Sequence, residues 1–128
     1  MSIENNAKIL IVDDSSVNNY LLENILEEKG YELQIAFDGK EALNFLNNDP
    51  PDLVLLDIMM PGIDGYEILN KINSDKNLKG IPVIMVTSKT EPQDKQKAMD
   101  IGAIDYVEKP IDIDFLIKKV ENALKKAV

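Results

Sequence analysis

Three apolar runs constrain the fold of this chain more than any other feature: Lys8-Ile9-Leu10-Ile11-Val12, Leu53-Val54-Leu55-Leu56, and Ile81-Pro82-Val83-Ile84-Met85-Val86. Successive side chains of a strand point to opposite faces, so four apolar residues without a polar break describe a strand covered on both sides. Such strands belong in the middle of a parallel sheet. Pro82 stands near the start of its run, where a proline is tolerated. Tyr31 to Ile35 and Ala103 to Val107 instead alternate polar with apolar residues, the pattern of edge strands with one solvated face.

The segments between these strands carry a helical period. From Ser15 onward, Val17, Leu21, Ile25 and Glu28 fall along one line with Leu22 and Leu26 beside it, and Gly30 ends the helix. Asp38 with Glu41 opens a second helix holding Ala42, Leu43 and Leu46 inward. Pro61-Gly62 sets a turn, and Asp64 with Glu67 caps a third helix from Gly65 to about Asn73. Thr90-Glu91-Pro92-Gln93 reads as a further capping box, opening a helix that ends at Ile101 before Gly102. Its apolar content is thin, chiefly Ala98 and Met99, so its hold on the sheet is expected to be weak. Asp112 caps a last helix with a stripe of Ile113, Leu116, Ile117, Val120 and Leu124. Strands alternating with helices give an α/β fold, a doubly wound five-stranded parallel sheet covered on both faces. With right-handed crossovers, three central runs and two edges, the expected strand order is the flavodoxin-like 2-1-3-4-5. The cleft then lies at the switch point between strands one and three, outside the carboxyl ends of the strands.

The 128 residues suit a single domain spanning 1–128, with its core at about 8–126. Zero histidines and zero cysteines remove the usual general base, the Ser-His-Asp arrangement, disulfides and cysteine-ligated zinc. Any chemistry must use carboxylates, hydroxyls, lysine and a hard metal. A net charge of -9 repels nucleic acid and anionic membranes. The amino-terminal residues lack the basic and apolar regions of a signal peptide, and no apolar run approaches the length of a membrane span. A cytoplasmic protein is expected.

The strand ends carry the chemistry. Asp13 and Asp14 follow the first strand, Asp57 the third, Thr87 the fourth and Lys109 the fifth. Each has a plainer reading: Asp13-Asp14 as caps of the first helix, although Ser15 and Ser16 are available for that; Asp57 as a turn carboxylate; Thr87 as a loop hydroxyl; Lys109 as a surface lysine. Asp57 has no local structural duty, because Asp64 caps the helix that follows. Three carboxylates converging on one rim repel unless a cation is present. Mg²⁺ takes hard oxygen ligands and needs few of them when a phosphate supplies the rest, so such a site handles phosphoryl groups.

The runs Ile9-Leu10-Ile11-Val12-Asp13-Asp14 and Leu55-Leu56-Asp57-Ile58-Met59-Met60-Pro61-Gly62-Ile63-Asp64-Gly65, followed by Val86-Thr87-Ser88 and Lys109-Pro110, resemble the CheY-like receiver domain of bacterial two-component response regulators. The likeness runs in order and spacing from about Lys8 to Lys126. It implies that Asp57 is the phosphoacceptor, taking phosphate from a sensor histidine kinase or a histidine phosphotransfer protein, and that Asp13, Asp14, Asp57 and the Met59 backbone carbonyl hold Mg²⁺. It further implies that Lys109 and Thr87 contact the phosphate and that Tyr106 on the fifth strand moves with Thr87. A cis peptide is implied before Pro110. Met59 and Lys89 stand at positions that tune how long the phosphate lasts. The readout would pass through the surface of the fourth helix, fifth strand and fifth helix to a downstream protein or a fused output domain, or to a phosphorylation-dependent dimer. Such a domain is not an enzyme toward other molecules and assists only its own phosphorylation and dephosphorylation.

Two other classes use related parts. A haloacid-dehalogenase-like phosphohydrolase also has an aspartyl nucleophile and Mg²⁺, but requires an acid two residues after the nucleophile, where this chain has Met59. A flavodoxin-like FMN carrier needs a hydroxyl-rich phosphate loop after the first strand, where Asp13-Asp14 would repel the phosphate.

Overall fold

A computed structural model describes residues 7–60 and 62–126. Five strands alternate with five helices: β1 (Lys8–Val12), α1 (Ser16–Glu28), β2 (Glu32–Ala36), α2 (Gly39–Asn48), β3 (Leu53–Leu56), α3 (Gly65–Ser74), β4 (Val83–Thr87), α4 (Pro92–Ile101), β5 (Asp105–Glu108) and α5 (Ile113–Lys126). All pairings are parallel and the order is β2-β1-β3-β4-β5, as the apolar runs require. No helix among the described residues is long and apolar enough to cross a membrane.

The central strands are buried along their whole length apart from the half-buried Lys8, and their alternating side chains feed two cores. Leu10, Val12, Val54, Leu56 and Met85 pack with Ala42, Leu46, Ile68, Leu69 and Ile72, placing α2 and α3 on one face, joined there by Ala98 of α4. Ile9, Ile11, Leu53, Leu55, Ile84 and Val86 pack with Leu22, Leu26, Leu116 and Val120, placing α1 and α5 on the other. Asp64 and Glu67 make the reciprocal capping box at the start of α3. Gly62 takes a positive φ of 80°, as the turn requires, while Pro61 lies outside the described residues.

Several local expectations are corrected. In α1 the buried face is Asn19, Leu22 and Leu26, whereas Val17 and Leu21 are exposed and Glu28 faces solvent. Apolar residues at 17, 21, 22, 25 and 26 draw two overlapping lines, and packing selects the one through Leu22. β2 is covered on both faces: Gln34 is buried, its amide donating to the Asp49 carbonyl at 2.8 Å, and Leu33 and Ile35 pack on the opposite core. The strand is therefore an edge by pairing alone. Thr90 does not cap α4; Glu91 is the capping residue, without a side-chain bond, because Pro92 occupies the first helical position. Met99 of that helix is exposed, as is Ile113 of α5. At α2 Asp38 accepts from the Glu41 N–H, but the Glu41 carboxylate returns to Phe37. β4 starts at Val83 and β5 at Asp105, each two residues later than the apolar pattern suggests.

Candidate functional site

Asp13, Asp57 and Lys109 meet, with Thr87 tied to Lys109 through the backbone, because pairing continues just past the strand ends. The Asp13 N–H donates to the Ala36 carbonyl at 3.1 Å, Asp57 to Val12 at 3.0 Å, and Lys109 to Thr87 at 3.0 Å. The register Val12↔Leu56 makes Asp13 and Asp57 neighbours on adjacent strands. Each carboxylate is then fixed by backbone donors two residues on: Ser15 N–H to Asp13 Oδ1 at 2.9 Å, and Met59 N–H to Asp57 Oδ1 at 3.2 Å. The capping of α1 falls to Ser15, whose hydroxyl accepts from the Asn18 N–H, so Asp13 is released from that task.

Lys109 supplies the cation. Its Nζ lies 2.6 Å from Asp13 Oδ2 and 3.0 Å from Asp57 Oδ2, and all three side chains are largely withdrawn from solvent. The Lys109–Pro110 peptide is cis. Asp14 stands exposed at the rim, and one oxygen each from Asp13, Asp14 and Asp57 falls within 4.8 Å of the others. Three carboxylates and one ammonium leave a surplus of two negative charges. Burial pushes the Asp13 carboxyl above its ordinary value, even though Lys109 and the Ser15 N–H pull the other way. For Lys109 burial works to lower the ammonium, and the bonds to Asp13 and Asp57 outweigh it, leaving it raised. Converging hard oxygens with surplus negative charge are the donor set a small divalent cation takes, and the residues present fit Mg²⁺.

Thr87 is completely buried at the end of β4, its hydroxyl accepting from the Lys89 N–H at 3.2 Å. Tyr106, half-buried on β5, donates its hydroxyl to the Lys89 backbone carbonyl. Burial first, and the nearby Tyr66 and Asp94 next, push its phenol upward. Lys89 thus joins the strand carrying Thr87 to the strand carrying Tyr106. Met59 presents its backbone N–H to Asp57 while its side chain is exposed, and beside it Ile58, Met60, Asp64, Tyr66 and Lys89 line an open cavity of about 360 Å³.

Two supporting residues escaped the sequence reading. Asn19 is buried on α1 and donates to the Asp13 carbonyl at 2.7 Å, fixing the loop that carries the acidic pair. Gly65 donates to the Ile58 carbonyl at 2.9 Å, and a Cβ there would overlap the Asp57 carbonyl oxygen and stand 2.7 Å from the Ile58 Cα. The start of α3 is therefore pressed against the backbone of the central aspartate. An asparagine one turn into a helix after an acidic strand end was the available signal for the first; for Gly65, a glycine directly after a capping aspartate.

Comparison with known proteins agrees with this geometry. Residues 9–121 match the family model described as response regulator receiver domain. Protein PilH of Pseudomonas aeruginosa is 38% identical over 92% of this chain and 98% of its own length. Response regulator PleD of Caulobacter vibrioides is 40% identical over 91% of this chain, which spans only 26% of that relative. A CheY-like receiver domain protein from Methanospirillum hungatei superposes with a TM-score of 0.89 at 33% identity, covering 95% of this chain and 96% of that one. The fold, the acidic strand ends and these relatives place the chain in the response regulator receiver domain family, the phosphoacceptor signalling modules of two-component systems.

Proposed function

We propose that Asp57 is the phosphoacceptor and that the donor is a phosphohistidine on a sensor kinase or a histidine phosphotransfer protein. The observation that carries this reading is the Lys109 ammonium set between the Asp13 and Asp57 carboxylates beside Asp14. One Asp57 oxygen attacks phosphorus as the phosphorus–nitrogen bond breaks; the imidazole leaves with a proton, and an acyl phosphate forms. Lys109 and the backbone N–H of Met59 face charge on the equatorial oxygens, and Thr87 supplies its hydroxyl as a further donor. Asp13, Asp14, Asp57 and the Met59 carbonyl would hold Mg²⁺, which when bound neutralises phosphoryl charge. Hydrolysis reverses the gain when water attacks the same phosphorus, so the domain assists only its own phosphorylation and dephosphorylation.

The readout runs through Thr87, Lys89 and Tyr106 to the surface of α4, β5 and α5, which engages a downstream protein, an output domain on the same polypeptide or a second copy. PleD extends well beyond the matched segment, which supports an output domain as one of these arrangements. The matched segment acts as one receiver unit, and family membership supports a cytoplasmic setting.

Intact-mass measurement with acetyl phosphate tests the assignment. The parent is expected to gain one phosphate with Mg²⁺ and none with chelator, and Asp57→Asn to gain none. Equal labelling of Asp57→Asn overturns it.

A further inference from the structure

The amino end of α2 holds no site residue, yet the backbone around it reaches both acidic strand ends. Gly39 is the first residue of the helix, buried directly behind the capping Asp38. Three residues earlier the Ala36 carbonyl accepts the Asp13 N–H at 3.1 Å, which joins the start of α2 to the first acidic strand end. On its other side Gly39 meets the loop that follows Asp57. A Cβ on Gly39 would stand 2.7 Å from the Cβ of Ile63, 3.1 Å from its Cγ2 and 3.3 Å from its carbonyl oxygen.

Ile63 carries that contact toward the site. Its side chain packs on the core that contains Ala42 and Leu46 of α2, and after it come Asp64, the cap of α3, and Gly65, whose N–H holds the Ile58 carbonyl at 2.9 Å. Ile63, Gly65, Ile58 and Met59 therefore shift together. No side-chain torsion can turn a Cβ aside, so a methyl on Gly39 is accommodated only by backbone movement of at least about 0.7 Å, enough to restore an ordinary 3.4 Å contact. Ala42 and Leu46 anchor α2 in the core, and the loop is the part that yields. It moves away from β2 and β1, and so away from Asp13.

We propose that Gly39 is a positioning residue: through Ile63 it fixes the distance between the Asp13 and Met59 sides of the cation site, and thereby favours a small cation over a larger one. Mg²⁺ demands near-ideal geometry at about 2.0–2.1 Å, whereas Ca²⁺ accepts oxygens at about 2.3–2.6 Å in flexible arrangements. A displaced loop penalises the first ion far more than the second. The proposal rests on the reading of Asp13, Asp14, Asp57 and the Met59 carbonyl as Mg²⁺ ligands; the contact of Gly39 with Ile63 stands without it.

Titration of the full chain with magnesium chloride and, separately, calcium chloride, followed by amide NMR shifts, tests it. Gly39→Ala is expected to weaken Mg²⁺ binding about tenfold, the low end of what loss of a ligand's supporting partner costs, and Ca²⁺ binding no more than about twofold. In the metal-free protein the Met59 amide, bonded to Asp57 Oδ1 at 3.2 Å, should exchange faster with deuterium. Leu46→Ala separates positioning from stability, because it empties a core position of α2 and lowers the urea midpoint while Mg²⁺ affinity stays within about twofold of the parent. Ile63→Gly, which withdraws the contact without adding bulk, should also narrow the preference for Mg²⁺ over Ca²⁺. On that background Gly39→Ala should cost less than about twofold, since the methyl then has room. Unchanged Mg²⁺ affinity in Gly39→Ala, equal losses for the two ions, the same effect of Gly39→Ala on both backgrounds, an unchanged preference in Ile63→Gly, or an equal Mg²⁺ loss in Leu46→Ala overturns the proposal while leaving the ligand reading. A parent in which Mg²⁺ shifts no amide around Asp13, Asp57 and Met59 overturns the ligand reading, and the proposal with it.

Discussion

Replacing Asp13 by asparagine is expected to stabilise the metal-free fold. With an effective dielectric of about 20, unit charges 4.8 Å apart repel by about 3.5 kcal/mol. Asp57 exerts a repulsion of that order on Asp13, and the exposed Asp14 a smaller, screened one. The attraction to Lys109 at 2.6 Å is about 6.4 kcal/mol on the same scale. The variant therefore forfeits a net Coulomb term of about 1–3 kcal/mol, while it escapes the burial cost of a carboxylate, which is several kcal/mol. Lys109 keeps Asp57 as partner, and the asparagine oxygen can still accept from Ser15. A gain of about 1–2 kcal/mol, or roughly 4–7 °C in melting temperature, follows.

Urea unfolding in chelator at neutral pH measures that gain, and the pH dependence tests its cause. Because the folded-state value of Asp13 is raised above its ordinary 3.8, ionised Asp13 weighs against the fold above the folded value. That penalty fades as pH falls through the folded value toward 3.8, so the gap between variant and parent should close over that window. Mg²⁺ at a hundredfold its dissociation constant should stabilise the parent by about 2.7 kcal/mol and the variant far less, reversing their order. An Asp13→Asn protein less stable than the parent in chelator, or one stabilised equally by Mg²⁺, would refute the reasoning.

Leu22→Ala should cost about 2–5 kcal/mol and Val17→Ala no more than about 0.5, read from urea midpoints, since only the first empties a filled core position. Equal losses would mean that α1 packs through its other apolar line. Gly65→Ala should destabilise by about 1–3 kcal/mol and slow the labelling of Asp57 by acetyl phosphate, because the new methyl must displace the backbone of Asp57 and Ile58. Labelling at the parent rate would show that the start of α3 does not position Asp57.

What was legible in the sequence depended on how many residues shared one physical cause. The central strands could be read because burial on both faces acts on every side chain in the run, and the strand order followed from which runs lacked a polar face. The edge strand β2 was misjudged in its exposure because Gln34 is polar by composition yet buried, its amide bonded to the carbonyl and carboxylate of Asp49, contacts that no period records. The phase of α1 failed for a related reason. Asn19 belongs to the inner face because its amide reaches back to Asp13, and the apolar residues alone could not reveal that. At α4 the signal was present in Pro92, whose preference for the first helical position puts the cap at Glu91 and excludes Thr90. The contact of Gly39 with Ile63 was out of reach, since it joins a helix start to a loop whose spacing only the sheet determines.

The candidate site residues could be placed together more readily than these local details because the strands themselves align them. β1 and β3 are each apolar up to Val12 and Leu56, and those two residues are partners in the register. A shift of β1 by one residue in either direction would carry Asp13 or Asp57 into the dry interior of the sheet, or bare an apolar residue at the rim. The cost of burying an unpaired carboxylate thus sets the register, and the register in turn brings two carboxylates together at the edge of the core. Lys109 offsets only part of the charge gathered there. The surplus negative charge is therefore a consequence of how the sheet is aligned, and it leaves the rim with a standing demand for a cation before any phosphate arrives.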